Sequence, residues 1–568
     1  MRTSAASLPA FATLASALTL AACGGVGDVI TGISPGPGGP TAEITLGVGE
    51  VRTIGAAEAT SLRINGAAGG ADFTLIPFHG TSNPASTVTL EFAGEQLMAA
   101  SGPPTPQIGG LTPGLSLAHA GAVHAATSFE ARLRLAERAE LTSRIAASRA
   151  AYAVSGGARG AAATEVPTVG ATMAFNAAPS VSCTEQSTRT GRVVTLTQRA
   201  VIVADNSNPA GGFTDAEYAA IGEEFDAHAH PMVTQTFGAP TDLDQNGGRV
   251  VVLFTRAVNE LTPRGAQGIT FGFFTARDVL RKSACAASNE AEILYMIVPD
   301  PAGEVNGNVR TKALVRRIAT GTLAHEYQHL VNAARRVYVN NASTFEATWL
   351  NEGLSTIAEE LMFYRVAGLN PRGNTTLETL RSSQSMTATA DAYQVGNFNR
   401  LIEYLRDPES ESPFNDVDDL ATRGATWQFL RYAADRTGVA EQTLWQNLVN
   451  ARTAGVANFN AVFGSDFMTL VRDWVTAQYT DDAVPEVPST FQQPSWNYRS
   501  ILPALTANSA YPLRIRPLAG GSVSLTLAGG GAAYLRFGVA SGATGTVRVT
   551  SPSGAVPGAV SLTVVRTR

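Results

Sequence analysis

HEYQHLVNAARRVYVNNASTFEATWLNEGLSTIAEELMFY occupies residues 325–364 of a 568-residue chain. Its first five residues set histidines at 325 and 329. On an α-helix, side chains four apart stand one turn apart on the same face, so both imidazoles can reach one metal ion. Glu326, directly after the first histidine, is placed to act as a base on water at that ion rather than to bind it. Such a site needs a third protein ligand and keeps a fourth position open. The pattern predicts one helix over 308–336, with Leu314, Ile318, Leu323 and Leu330 as an apolar stripe and no interrupting proline. A loop from Tyr338 to Ser343 follows, and a second helix is predicted from about Thr344. Glu352 lies in its middle, and two antiparallel helices joined by a short loop bring it opposite the histidines.

HEYQH followed by WLNEGLS resembles the gluzincin metallopeptidases, where a histidine pair on one helix and a glutamate on the next bind zinc. The gap between the two motifs is a few residues longer than in the thermolysin and aminopeptidase branches. Within that clan the chain resembles the hyicolysin family of secreted neutral metallopeptidases from about Thr168 to Asp482. The likeness includes DLDQNGGRVVVLFTRAVNELTP (Asp242 to Pro263) and GATWQFLRYAADRTG (Gly424 to Gly438). It implies an α+β, thermolysin-like catalytic domain. It also implies His325, His329 and Glu352 as ligands of one Zn2+, with Glu326 as general base. One carboxylate and two neutral imidazoles leave the ion net positive, which lowers the pKa of bound water to about 7.

Neighbouring residues compete for supporting roles. Glu346 precedes Glu352 at a spacing that points it elsewhere on the helix. Glu359 lies on the Glu352 face about 10 Å further along the axis. There it either orients His325 from behind or sits on a solvated face with Glu360. Asn351 is either a similar support or a surface amide. The resemblance leads one to expect a tyrosine just before Gly424, as donor to the tetrahedral intermediate; Arg423 stands there instead. Arg423, Tyr393, Tyr404 and Tyr432 are the alternatives, with Tyr404 and Tyr432 set in helical packing patterns.

His228 and His230 flank one residue and so face apart on a helix, which makes them poor joint ligands. Their helix should start at Thr214, capped with Glu217, and end near His228 because Pro231 follows. DLDQNG (Asp242 to Gly247) begins like a calcium loop, but the twelfth position is Leu253 rather than Glu. A polar turn is the favoured reading, with Ca2+ as the minor alternative.

Arg2, an Ala/Leu-rich run to Ala22 and then Cys23 read as a signal peptide. Leu-Ala-Ala-Cys looks like a bacterial lipobox, implying cleavage before Cys23 and lipid on its sulfur. The expected location is the cell envelope, at the outer membrane or surface. Cys183 and Cys285 then remain, in a compartment that permits a disulfide between them. A net charge of −6 with 15% charged residues and no basic run argues against a nucleic-acid partner.

The predicted organisation is multidomain: a gluzincin-like domain at 168–485 flanked by small all-β sandwiches at 41–100 and 500–568. Residues 1–22 are the signal peptide and 23–40 a Gly/Pro-rich tether. Residues 101–167 hold linkers around an exposed amphipathic helix, Glu130 to Tyr152. SVSLTLAGGGAAYLRFGV resembles TSLRINGAAGGADFTLIPF, as a repeated strand, Gly-rich turn and strand would. The expected function is a lipid-anchored zinc endopeptidase acting on proteins or peptides. The alternative is a surface protein of peptidase fold that binds polypeptides without cutting them.

Overall fold

The computed structural model describes residues 40–101, 129–154 and 166–568, apart from Ala56, Ala57, Ala59 and Gln267. The signal peptide, Cys23, the tether over 28–39 and most of both linkers lie outside the described residues. Among the described residues, no helix is long and apolar enough to cross a membrane.

Val250–Phe254 reads VVVLF and is buried along its whole length. Such a run belongs in the middle of a sheet covered on both faces. It lies parallel to Ile293–Met296 on one side and Ala200–Asp205 on the other. Thr188–Leu196 and Thr172–Asn176 extend the sheet antiparallel. Gly272–Phe273 forms the opposite edge, antiparallel to Ile293–Met296, completing six strands.

The HEYQH helix is Lys312–Ala334, and it packs against Ile293–Met296 and Gly272–Phe273. It starts later than the predicted 308, because the Thr311 side chain accepts from Leu314 N and caps it there. It leaves through a wider turn at Arg335–Val339. The second motif helix is Thr348–Ala367 and ends at Gly368, whose φ of 66° suits a left-handed cap. Behind it stand helices Val395–Arg406 and Leu420–Asp435. Two glycines let these helices touch. A Cβ on Gly353 would lie 2.5 Å from Thr426 Cγ2, and one on Gly424 would lie 2.2 Å from the Arg400 carbonyl carbon. Backbone contact that close fixes where Glu352, Arg400 and Arg423 point.

Three sequence expectations change. The helix capped by Thr214 does not end near His228. Asp215–Glu224 widens into a π turn at Phe225–Ala229 and continues as His230–Phe237. The wide turn and the position of Pro231 at the head of the last segment accommodate its missing N–H.

The expected sandwiches at the two ends are a single one. One sheet runs Thr41–Ile44, Ser61–Asn65, Thr544–Thr550, Thr87–Glu95, Ser522–Ala528. The other runs Arg516–Pro517, Leu535–Val539, Ala71–His79, Val560–Arg566, Val51–Gly55. Strands from both ends interleave in each sheet and share one core that includes Phe73, Phe92, Leu527, Phe537 and Leu562. The two similar Gly-turned motifs are not hairpins, since in each the first strand lies in one sheet and the second in the other. Alternating strands bury one face only, so each end of the chain completes the other.

The third change concerns the helix expected to be exposed. Phe129–Ala136 passes through a π turn at Glu137–Leu141 and a 3-10 turn at Thr142–Arg144 into Ile145–Val154. Leu133, Leu141 and Ile145 join the main core, and Arg134 and Glu137 are buried as a pair 2.7 Å apart. Charged positions that sequence assigns to solvent are satisfied here by each other.

Cys183 and Cys285 form a disulfide across a sequence separation of 102. It ties the segment before Thr188–Leu196 to the loop before Ile293–Met296. Loop-closure entropy makes such a link worth about 2–4 kcal/mol. Cys183→Ala with Cys285→Ala should therefore lower unfolding stability by about that amount, read from denaturant melts under non-reducing conditions. A change under about 0.5 kcal/mol would show that the bridge constrains little.

Candidate metal centre

The i, i+4 spacing on Lys312–Ala334 aims the His325 and His329 rings inward, with their Nε2 atoms 3.2 Å apart. Thr348–Ala367 brings Glu352 beneath them. Its Oε2 lies 3.4 Å from His325 Nε2 and its Oε1 3.5 Å from His329 Nε2. Two donors about 2.1 Å from a tetrahedral ion stand about 3.4 Å apart, so this triangle has the size such an ion requires. Both Glu352 oxygens are buried without a well-formed hydrogen bond. Two imidazoles and a carboxylate are a donor set suited to zinc. The three residues fit a divalent metal ion.

The other ring nitrogens are held from behind. His325 Nδ1 lies 2.7 Å from Glu359 Oε1, and Arg400 Nη1 donates to Glu359 Oε2 at 2.8 Å. His329 Nδ1 lies 3.1 Å from Asn351 Oδ1, which also accepts from Asn332. These contacts select the tautomer that keeps Nε2 available to a metal. Glu359 is thus taken up by partners while only partly buried, and Glu360 beside it is fully buried, bonded to Arg431 and Trp496. Glu346 is a structural anchor, paired with Arg336 and capping Gly455 N.

Arg423 does not stand as an open donor. It clamps Asp418 through Nε and Nη2, reaches Glu352 Oε2 at 3.2 Å and donates through Nη1 to Glu130 at 2.6 Å. Arg134 Nε approaches Glu352 from another side, 3.6 Å from Oε1. Sequence reasoning missed Arg134, Glu130, Asp418 and Arg400, because nothing in their local patterns points to a partner so far along the chain. Tyr404 and Tyr432 are core residues: Tyr404 stacks on Trp474, and Tyr432 Oη donates to the Thr490 carbonyl. Tyr393 packs against Gly321 on the HEYQH helix. His230 stacks on Tyr327, on a different side of the helix from the histidine pair, and burial lowers its pKa to about 4.

Burial dominates the electrostatics. It opposes a charge on His325, but the neighbouring Glu352 and Glu359 carboxylates override it and raise that imidazole to about 10. It lowers His329 to about 4, with Glu352 pulling only part of the way back. Burial also resists ionisation of Glu352, yet Arg423 and then the histidines hold its carboxyl well below the usual range. Glu326 is pushed by burial up to about 8, with His325 opposing. Thus, without metal, His325 favours its charged form and His329 its neutral form.

The polar turn at 242–247 gains a neighbour that sequence did not supply. Glu292 joins Asp242 and Asp244, their ligand oxygens within 4.8 Å of one another. The Leu243 N–H donates to the Glu292 carboxylate, and burial, followed by repulsion from Asp244, raises its pKa well above normal.

No family model matches the chain. It is similar to the neutral metalloprotease ShpI of Staphylococcus hyicus, 33% identical over 161 residues. That match spans 28% of this chain and 33% of the relative, so the chain covers about a third of the relative's length.

Two outcomes follow for metal binding. Zinc titrated into metal-free protein near neutral pH should release a proton, because the ion displaces the one His325 holds up to about 10. The sign is fixed: affinity rises with pH through the neutral range. Calorimetry in buffers of different ionisation enthalpy reads it, and uptake instead of release would refute the assignment. Glu359→Ala should weaken zinc about 10- to 100-fold in competition with a chromophoric chelator. Unchanged affinity would mean that Glu359 does not orient His325.

Proposed function

We propose that this chain is a zinc-dependent endopeptidase in which His325, His329 and Glu352 hold the ion and Glu326 is the general base. The observation that carries this reading is the triangle of Nε2 and carboxylate oxygens at 3.2–3.5 Å, with both Nδ1 atoms tied off. The similarity to a neutral metalloprotease supports the same chemistry. When bound, zinc supplies Lewis acidity, making water nucleophilic at neutral pH and polarising the scissile carbonyl.

The chain supplies the rest. Glu359 and Asn351 keep the rings in one orientation, so no reorganisation is needed as the reaction proceeds. Glu326 directly follows His325, placed to take a proton from the attacking water and return it to the leaving amine. The water oxygen bonds to the carbonyl carbon, the C–N bond breaks, and the proton moves by way of Glu326. Arg423 steadies Glu352. In this reading substrates are polypeptides, and the lipobox-like run before Cys23 is taken as a lipid anchor to the cell envelope.

Glu326→Gln keeps the ligands and removes the base. It should retain zinc while kcat on casein or a quenched peptide falls about 10²- to 10⁴-fold. Zinc-loaded wild type that cuts nothing across a broad peptide library would favour the alternative, a binding protein of peptidase fold.

A further inference from the structure

We propose that Phe129–Val154 is an internal strap that closes the metal centre by occupying the position of a substrate backbone, and that it must withdraw before a peptide can enter. The strap's inhibitory meaning rests on the peptidase reading, whereas its occlusion of the centre does not.

Gly272–Phe273 is the outer strand of the central sheet. Phe271 and Phe273 face inward, with Ile297 N donating to Phe271 O and Phe273 in register with Tyr295. The strand ends at Phe273; Phe274 follows it as extended loop and Ala276 opens the turn beyond, so their backbone groups lie just past the paired edge. An unpaired edge is where an extended peptide adds by main-chain hydrogen bonds. Here the strap has taken both groups. Arg134 Nη2 donates to the Phe274 carbonyl, as a substrate N–H would. Glu137 Oε1 accepts from Ala276 N at 2.6 Å, as a substrate carbonyl would.

The same helical face reaches the centre. Residues 130, 134 and 137 follow a spacing that lines up one face. Arg134 Nε approaches Glu352 Oε1, and Glu130 holds Nη1 of Arg423. A short segment therefore engages the third ligand, the arginine behind it and the sheet edge together. With the strap in place, His325, Glu326, His329 and Glu352 are each 1–4% exposed.

The attachment suits a part that moves. Its middle is a π turn followed by a 3-10 turn, where hydrogen bonding is less regular than in an α-helix. Its polar contacts near the centre are ionic, and Leu133, Leu141 and Ile145 hold it in the main core, so its withdrawal is a local unfolding step. Its far end is pinned by Arg149 to the Val337 and Ala342 carbonyls, and by Ser148 to Tyr338.

Two variants of the full-length chain test this. Glu137→Ala removes the cap on Ala276 and the partner of Arg134. Arg149→Ala loosens the strap at a distance from the centre, and remains informative if the first variant misfolds. Two rates are read: hydrogen–deuterium exchange over 271–278 in metal-free protein, and zinc extraction by pyridine-2,6-dicarboxylate from loaded protein. Both should rise at least about tenfold in each folded variant, because stability lost locally opens the segment. Wild-type rates in a folded variant overturn the strap. Peptide hydrolysis is measured alongside and should rise by a similar factor. Faster extraction with no hydrolysis by any variant upholds the strap as a cover and removes the peptidase reading instead.

Discussion

The Glu352 carboxylate is the point on which the interior turns. A buried carboxylate costs several kcal/mol unless positive groups or a metal surround it. This one has imidazole nitrogens above it and the guanidinium groups of Arg423 and Arg134 beside it. Each of those groups needs support in turn. Asp418 and Glu130 hold Arg423, Glu137 holds Arg134, and Glu359 with Arg400 holds His325.

Small residues let that network assemble. Gly353 and Gly424 allow helix backbones to meet at distances that a Cβ would forbid. Arg400 and Arg423 consequently stand on adjoining helices within reach of two different carboxylates on Thr348–Ala367. At the periphery, the sandwich performs a different task. Its strands come from both ends of the chain, and Tyr534 and Arg516 fasten it to the helical region at Val475 and Glu409. The β modules are therefore part of one closed body, not independent appendages.

The legible features share a short range. The ligand spacing, the Thr214 capping box and the buried VVVLF strand are set by residues within a turn or a strand of each other. The pairing of Cys183 with Cys285 was legible for another reason, since only two candidates remained once Cys23 was set aside. What misled were patterns with two physical solutions. An Arg/Glu-rich helix can face water, or bury its charges against one another, as Arg134 and Glu137 do. Glu359 on a polar face can be solvated or support a histidine, and position alone does not choose. The Gly-turned β segments had the same ambiguity, since one exposed apolar face can be covered by its own segment or by a distant one.

By itself, the sequence determined which atoms meet within one helix: two imidazoles a turn apart, with a carboxyl beside the first. It also determined that an acid on the next helix would complete the set, because a short loop leaves two helices little choice but to pair. Only the tertiary structure decided what surrounds that set. Arg423 and Glu130 are 293 positions apart, and Arg134 reaches the Phe274 carbonyl across 140. Such contacts follow from how sheet edge, strap and helices share one interior, where each buried charge takes whichever partner the packing brings near.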